Sequence, residues 1–253
     1  MAPQLNYLVT APTATAKLDQ VNQKFYDRLW SSAQLVNPEQ FNTWPTVEAL
    51  CSEATDRLEL GPGLRPRLPI RDTCFVDISQ PALTALARHG GRVKQAAIDS
   101  LPFDDHSFDL VCALDIIEHV ADDEAAVREV ARVSRPGAAI MLSTPLHPEY
   151  WTPFDEIVGH YRRYPPDQLL DLLQAHDIEV ERSAVFGMKP QSSLLLDVGM
   201  WFLRTHPKTA MRFYNRLFMP IALRRQRELQ LVDGLIDTDQ VDEVFLVCRK
   251  RCH

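Results

Sequence analysis

Short apolar runs alternate with helix-like patterns along the middle of the chain. The runs predict buried parallel strands, because each is short and is bounded by turn residues. Five such strands are predicted, at 58–60, 74–76, 93–98, 108–114 and 138–143. The segments between them carry apolar residues at helical spacing. Strands and helices in this alternation predict an α/β fold, a doubly wound sheet with helices on both faces.

The two ends of the chain continue this pattern. An apolar helix face is predicted within 16–33, and a second helix is predicted after Pro38. Aromatic residues in both helices are expected to pack against the sheet. Further along, the pattern predicts a helix at 166–175, a strand at 178–186 and a closing strand at 241–249.

Two stretches interrupt the alternation. Residues 146–164 are polar and rich in proline, yet they include several aromatic residues and histidines. This stretch follows a strand, which is where α/β enzymes place substrate contacts. Residues 188–232 mix methionine, aromatic residues and leucine with arginine at helical spacing. They form either a helical cap or dimer surface whose apolar face is packed, or a cap that encloses an apolar small-molecule substrate.

Composition narrows the class of protein. The 253 residues carry a formal net charge of −7, which argues against a general nucleic-acid binder, since such proteins are basic. The five cysteines are scattered, which predicts reduced thiols in a cytoplasmic protein. The longest apolar stretch, 194–203, is broken by Asp197 and is about half the length of a membrane span, so we expect none.

A glycine turn follows the first strand directly. Gly61 and Gly63 flank a proline there, and glycines at such a place let backbone N–H groups approach a ligand. Asp77 ends the second strand, where a carboxylate can accept both hydroxyls of a ribose. A dinucleotide fingerprint needs a third glycine where this chain has Pro66, so a nicotinamide oxidoreductase is disfavoured. Glu59, beside the turn, suits a cationic ligand better than a diphosphate.

These motifs together resemble the class I S-adenosylmethionine-dependent methyltransferases, in the branch similar to ubiquinone-biosynthesis enzymes. The stretches that carry the resemblance are ELGPG at 59–63, VDIS at 76–79, DSLPFDDHSFDLV at 99–111, DIIEHV at 115–120 and RVSRPGAAIMLSTP at 132–145. The resemblance implies a Rossmann-like, mainly parallel sheet of seven strands whose last strand lies antiparallel at the edge. It also implies that the N-terminal helices form a lid over S-adenosylmethionine.

One domain over the whole chain is expected on this basis. Its parts are a helical lid at 1–54, a cofactor-binding core at 55–145, a substrate loop with a helix and strand at 146–187, a helical cap insertion at 188–240, and the last strand at 241–253.

The resemblance also implies the cofactor contacts. Gly61 and Gly63 would lie against the methionine part, and Asp77 would bind the ribose. Asp99 would accept from the adenine amino group, and Leu114 would lie next to the sulfonium. The full expected set of cofactor-binding residues is Glu59, Gly61, Gly63, Asp77, Ile78, Asp99, Ser100, Leu101 and Leu114.

Catalytic candidates follow the fourth strand and lie in the polar stretch. His119, His160 and Tyr161 are the expected catalytic residues, and His147 is a further candidate base, since imidazole titrates near neutrality. Some methyltransferases that resemble this chain hold magnesium with two acids and a histidine, spaced like Asp115, Glu118 and His119. Many others bind none, and we expect no metal.

The leading hypothesis is therefore a methyltransferase that acts on a small molecule, at oxygen or nitrogen. The alternative is a cofactor-binding protein of the same fold that acts as a non-catalytic partner or sensor. A homodimer is compatible with either hypothesis.

Overall fold

One mixed β-sheet organises the part of the chain that the structure describes. This computed structural model describes residues 26, 29, 30, 33–187, 199, 201, 202 and 205–252. The strands are β1 (Arg57–Leu60), β2 (Thr73–Asp77), β3 (Arg92–Gln95), β4 (Phe108–Leu114), β5 (Ser134–Pro145), β6 (Ile178–Val185), β7 (Val232–Asp233) and β8 (Glu243–Lys250). Their order across the sheet is β3-β2-β1-β4-β5-β8-β6-β7.

The sheet confirms the α/β class but corrects two details of its topology. Strands β3, β2, β1, β4 and β5 pair in parallel, as the sequence predicts. The last strand, β8, is antiparallel, but it lies between β5 and β6 instead of at the edge. The sheet has eight strands, because the two-residue β7 adds to β6 in antiparallel orientation. A pairing order is set by long-range contacts, which a pattern of apolar residues does not specify.

Helices cover the sheet on both faces. They are α1 (Trp44–Glu53), α2 (Gln80–Arg88), α3 (Asp123–Val133), α4 (Pro153–Val158), α5 (Pro166–Ala175), α6 (Pro207–Phe213) and α7 (Met219–Arg224), with a π-helical turn, Tyr214–Phe218, joining the last two. Short 3₁₀ helices occur at Pro38–Gln40, Ile117–His119 and Pro148–Tyr150. Tyr26, Leu29 and Trp30 are helical, while most of the helix predicted at 16–33 lies outside the described residues.

The strand pattern produces two cores. Val111 and Ala113 pack into one apolar cluster, and the alternate residues Leu110 and Cys112 pack into the other. Side chains of a strand point to opposite faces in turn, so β4 is buried on both sides. Helices α3 and α5 cover the first cluster and α1 covers the second. Within the described residues no helix has the length and apolarity needed to cross a membrane.

Strand β3 is shorter than predicted. It ends at Gln95, so Asp99 lies in a turn four residues beyond the strand and not at its tip. The loop that follows is held by one guanidinium. Arg132 of α3 donates to the carbonyl oxygens of Leu101 (3.0 Å) and Phe103 (2.8 Å) and pairs with carboxylates of Asp105 and Glu129.

We expect Arg132→Lys to destabilise this loop. A single ammonium cannot reach the four acceptors that the planar fork of Arg132 serves. The free energy of unfolding should fall by about 1–2 kcal/mol. Urea denaturation measures the change, and Arg128→Lys, an exposed arginine on the same helix, is the control. Equal midpoints for the two variants would contradict the role given to Arg132.

Candidate functional site

A sharp glycine turn follows β1. Gly61 and Gly63 have φ of +63° and +54°, a region that side chains disfavour. The N–H of Gly61 donates to the carbonyl of Val76 at 2.8 Å, which ties the turn to β2. A Cβ on Gly61 would lie 2.6 Å from Cδ1 of Ile116. The turn therefore requires glycine at this position, as the sequence predicts.

Asp77 sits opposite this turn at the end of β2. Its carboxylate accepts from the N–H of Gly63 at 2.9 Å and from the N–H of Ser79 at 2.7 Å. Burial raises the pKa of Asp77, while these backbone N–H groups oppose the rise. The hydroxyl of Ser79 is buried and has no hydrogen-bond partner among the described residues. A buried acceptor beside an unpaired hydroxyl suits a ligand rich in hydroxyl groups, such as a ribose.

The residues expected near the adenine differ in their exposure to solvent. Ile78 is 46% exposed at the tip of β2, and Asp99 and Ser100 are exposed in their turn. Leu101 is different, because its side chain is buried in the main core and its N–H donates to Glu129 at 2.7 Å. The Leu101 side chain therefore packs in the core, and its place beside the adenine stays a prediction.

Glu59 also has a different place from the one expected. The side chain is buried, and its two oxygens accept from the N–H groups of Arg67 (2.8 Å) and Leu68 (2.9 Å). Burial raises its pKa to about 7, although both backbone donors oppose this. Glu59 therefore holds the loop that follows the glycine turn, instead of facing a cationic ligand.

The chain turns sharply after β4, at Leu114 and Asp115. Asp115 has a φ of +49°, its N–H donates to the carbonyl of Ser143, and its Oδ1 accepts from the Ser143 hydroxyl at 2.6 Å. Its carboxyl also shares a hydrogen bond with Glu243, whose pKa is raised well above the ordinary value by burial and by Asp115. Leu114 is partly buried beside the second core. Among the described residues, the cluster of potential metal ligands that includes Glu118 and His119 does not include Asp115.

His160, and not Asp115, lies in one cluster with Glu118 and His119. One potential ligand atom from each of Glu118, His119 and His160 lies within 4.8 Å of the others. Burial raises the pKa of Glu118 well above its ordinary value, and Asp115 raises it further. Burial also lowers the pKa of His119 to about 3, with a further contribution from His160. Among the described residues these three side chains could hold a divalent ion, with two neutral imidazoles as ligands.

A buried carboxylate orients His160. Oδ1 of Asp155 lies 2.9 Å from Nδ1 of His160 and 2.9 Å from Nε of Arg163, and Asp155 is fully buried. Burial alone would raise the pKa of Asp155, but hydrogen bonds from His160, Arg163 and Thr152 outweigh it and hold the pKa below its usual range. With Nδ1–H donating to Asp155, Nε2 of His160 is left as the acceptor. This pair is the geometry of an oriented base.

Sequence reasoning missed Asp155 and Arg163 as site residues, because their stretch is polar. Asp155 completes a capping box with Thr152 at the start of α4, so the T-x-x-D spacing was a local signal. The fold buries the two charges as an ion pair. Because each charge has a partner, this polar segment can lie in the core.

The other two candidates from residues 146–164, Tyr161 and His147, form hydrogen bonds to neighbouring segments. Tyr161 donates its backbone N–H to the carbonyl of Glu118 at 2.8 Å, which fixes the stretch beside the histidines. His147 lies 2.8 Å, through Nε2, from the carbonyl oxygen of Thr238. His147 is thus committed to the neighbouring loop and is not grouped with His119 and His160.

Helical residues near the N-terminus cover the crevice. The ring of Trp30 lies against Gly63, so that a Cβ there would be 2.1 Å from Cζ2. Tyr26 stacks on Trp30 with ring centroids 6.0 Å apart, and its hydroxyl lies 3.1 Å from Nε2 of His119. The two rings bridge the glycine turn and the histidine pair, and a lid over the cofactor stays a prediction.

Known proteins share the sequence of this region. A family described as a methyltransferase domain matches residues 61–142, which include the glycine turn, the end of β2 and the start of the histidine site. The chain carries a class I S-adenosylmethionine-dependent methyltransferase domain. The cofactor of this family is S-adenosylmethionine. Asp77 and the unpaired hydroxyl of Ser79 fit its ribose part, whereas the Trp30 ring lies on Gly63, where the methionine part is expected.

Individual relatives match parts of the chain. A norajmaline N-methyltransferase from Rauvolfia serpentina is 46% identical over 48 residues, which are 19% of this chain and 16% of the relative. A probable S-adenosylmethionine-dependent methyltransferase from Mycobacterium tuberculosis is 35% identical over 109 residues, 41% of this chain and 39% of the relative. The chain thus aligns with less than half the length of either relative. The ubiquinone-biosynthesis-like branch stays a prediction.

Solved structures share the fold over nearly the whole methyltransferase chain. A possible histamine N-methyltransferase from Thermotoga maritima has a TM-score of 0.54 at 17% identity, and the match covers 93% of each chain. The [4+2]-cyclase SpnF has a TM-score of 0.56 at 16% identity, over 96% of this chain and 98% of its own. At such identities the likeness shows the fold alone.

Replacing Asp155 with asparagine should destabilise the protein. The variant leaves the buried Arg163 without its main carboxylate, so the free energy of unfolding at pH 7 should fall by about 3 kcal/mol. Because the folded pKa of Asp155 is depressed, its contribution is present above about pH 4 and is lost as the pH falls through the folded value. The variant should therefore lose part of the acid dependence of stability.

Denaturant titrations of the two proteins from pH 7 to pH 3 measure both effects. Glu156→Gln changes the neighbouring exposed carboxyl and serves as the control. Parallel stability curves for Asp155→Asn and the wild type would contradict the role of the buried carboxylate.

Proposed function

We propose that this protein transfers a methyl group from S-adenosylmethionine to a small-molecule acceptor, at nitrogen or oxygen. The observation that supports this most strongly is the chain of aromatic contacts that links the glycine turn to the histidine pair. Trp30 touches Gly63, Tyr26 stacks on Trp30, and Tyr26 reaches His119. These two rings thus connect the turn to His119, whose ring centroid lies 4.5 Å from that of His160.

The bound cofactor supplies a methyl group on a sulfonium, which already carries its leaving group. The residues of the chain then have to hold the acceptor in line with that methyl, an effect worth up to about 7–11 kcal/mol when the geometry is ideal. Gly61 and Gly63 provide the cradle, and Asp77 with Ser79 provides the polar contacts for the ribose. Tyr26 and Trp30 cover the crevice, where they would exclude water from the reacting groups.

His160 is the base in this proposal. An acceptor hydroxyl or ammonium must lose a proton, and Nε2 of His160 is the group left to accept it. Asp155 holds the ring and stabilises the imidazolium that forms. The pKa of His119 is too low for this role, so His119 serves as a neutral hydrogen-bonding partner. Tyr161 would be a third residue beside the acceptor, since its backbone N–H donates to the carbonyl of Glu118.

The name of one relative favours nitrogen as the acceptor atom. The plant relative is named as an N-methyltransferase, and its match covers a short part of the domain. The net charge of −7 disfavours nucleic acid as the substrate, as the composition first suggested. The five unpaired cysteines support a reducing compartment, and we propose the cytoplasm.

One observation favours the alternative of a non-catalytic cofactor-binding protein. The Trp30 ring lies directly on the cradle at Gly63, where the methionine part would bind. In a methyltransferase Trp30 has to move aside when the cofactor enters. In a sensor, the displaced Trp30 would itself be the signal to a partner protein.

Cofactor binding tests what both hypotheses share. We expect S-adenosylhomocysteine to bind in calorimetry, and Gly61→Val to weaken binding more than 100-fold, on the order of 3 kcal/mol. A valine there would be forced to a positive φ and into Ile116. Gly199→Ala is the control, since a Cβ at Gly199 meets nothing within 4 Å. Tight binding by the valine variant would place the cofactor elsewhere.

The base separates the two hypotheses. Isotope-labelled S-adenosylmethionine and a panel of amines and phenols give the methylation rate, and product masses identify the acceptor. We expect His160→Gln to lower kcat about 100-fold or more, while S-adenosylhomocysteine binds as before. His89→Gln, an exposed histidine in another part of the fold, is the control. An unchanged kcat in the His160 variant would exclude His160 as the base.

A further inference from the structure

The helical cap before the last strand exposes an apolar surface. Its aromatic and aliphatic side chains point outward along one continuous helical run, Pro207 to Arg224. Phe213, Leu217 and Ile221 are 52%, 47% and 41% exposed, and they recur every four residues. Phe218 is exposed beside them, and Trp201, before the run, is 61% exposed. We call these five side chains the cap face.

The opposite side of the same run is packed. Ala210, Met211 and Met219 are buried, and Met211 belongs to a small core with Leu29 and Trp30. The exposure of the cap face is therefore not the result of a helix that lacks contacts. The run therefore has two apolar sides, one packed against the protein and one exposed. Monomeric proteins rarely present such a side to water as a continuous patch.

The helical run and its immediate flanks are also strongly basic. Residues 205–227 contain six basic residues and no Asp or Glu, although the whole chain carries a net charge of −7. The basic residues are Lys208, Arg212, Arg216, Arg224, Arg225 and Arg227, and the five arginines are exposed. Apolar and basic side chains thus share the outer side of one helical run, which is the composition of helices that lie in a membrane interface.

We propose that the cap face docks on an anionic lipid surface. The five apolar side chains would enter the boundary between headgroups and acyl chains, and the arginines would pair with lipid phosphates. Charge complementarity is the argument for this occupant, since basic residues are drawn to the anionic leaflet at a cell's cytoplasmic side. A second copy of the chain fits less well, because a twofold interface would bring each arginine-rich patch against its equal.

The inner side of the run connects this surface to the cofactor crevice. The guanidinium of Arg65, two residues after Gly63, lies between the rings of Trp30 and Tyr214, 5.3 Å and 5.1 Å from their centroids. The side-chain amide of Asn215, in the same helical run, donates a hydrogen bond to the carbonyl oxygen of Leu29. A docked cap would therefore place the crevice cover next to the lipid, although lipid binding itself does not depend on the proposed reaction.

Vesicle flotation of the full chain tests the docking. We expect the protein to float with vesicles of phosphatidylcholine that contain phosphatidylglycerol, and not with phosphatidylcholine alone. High salt should release it, because the attraction is screened. Equal binding to both kinds of vesicle, or binding to neither, would overturn the proposal.

Two variants probe the two parts of the surface. Arg212→Gln with Arg216→Gln should weaken binding about 30-fold, since each basic residue contributes a factor of about five. Leu217→Ser with Ile221→Ser should abolish flotation, and circular dichroism checks that each variant is folded. The controls are Arg88→Gln with Arg128→Gln for charge and Val185→Ser for exposed apolar area.

The remaining outcomes also decide the matter. Wild-type flotation by the arginine variant would overturn the proposal even if the serine variant failed to fold. A dimer in sedimentation that the serine variant dissociates, without any lipid binding by the wild type, would assign the cap face to a second copy instead. Loss of flotation in either cap variant, with normal flotation of the controls, is the expected result.

Discussion

The sharp turn at the end of β1 is the constraint on which the site depends. The N–H groups of Gly61 and Gly63 bond to the end of β2, one to a carbonyl and one to the carboxylate of Asp77. These bonds fix the tips of two parallel strands side by side, and the positive φ values exclude side chains from the backbone surface. The crevice then opens at the carboxyl ends of the strands, where α/β folds bind their ligands.

The second feature that shapes the site is how it buries charge. Asp155 and Arg163 are buried as a pair, so each satisfies the other and the carboxylate stays ionised. Glu118 and Glu243 lie near Asp115 without such partners, and their pKa values rise instead. The site therefore combines one firmly charged carboxylate, which orients His160, with acids whose charge is suppressed. Burial thus sets the protonation states of the acidic groups that would surround an acceptor.

The sequence predicted what local pattern controls. The bounds of β4 (Phe108–Leu114) and α5 (Pro166–Ala175) match because turn residues and apolar spacing define them. The place of β8 inside the sheet and the distance of Asp99 from β3 were mispredicted, since both depend on contacts between distant segments. The pairing of His160 with Asp155 was missed for a related reason: two charges in a polar stretch predict a surface loop until a partner makes burial favourable.

A crystal structure with S-adenosylhomocysteine would test the central claim most directly, that the crevice between the glycine turn and the histidine pair is the cofactor site. The account predicts the ribose on Asp77, the amino-acid part on the turn at Gly61, and the Trp30 ring displaced from Gly63, with the sulfur facing His160. A ligand bound at any other place, with Trp30 still on Gly63, would contradict it.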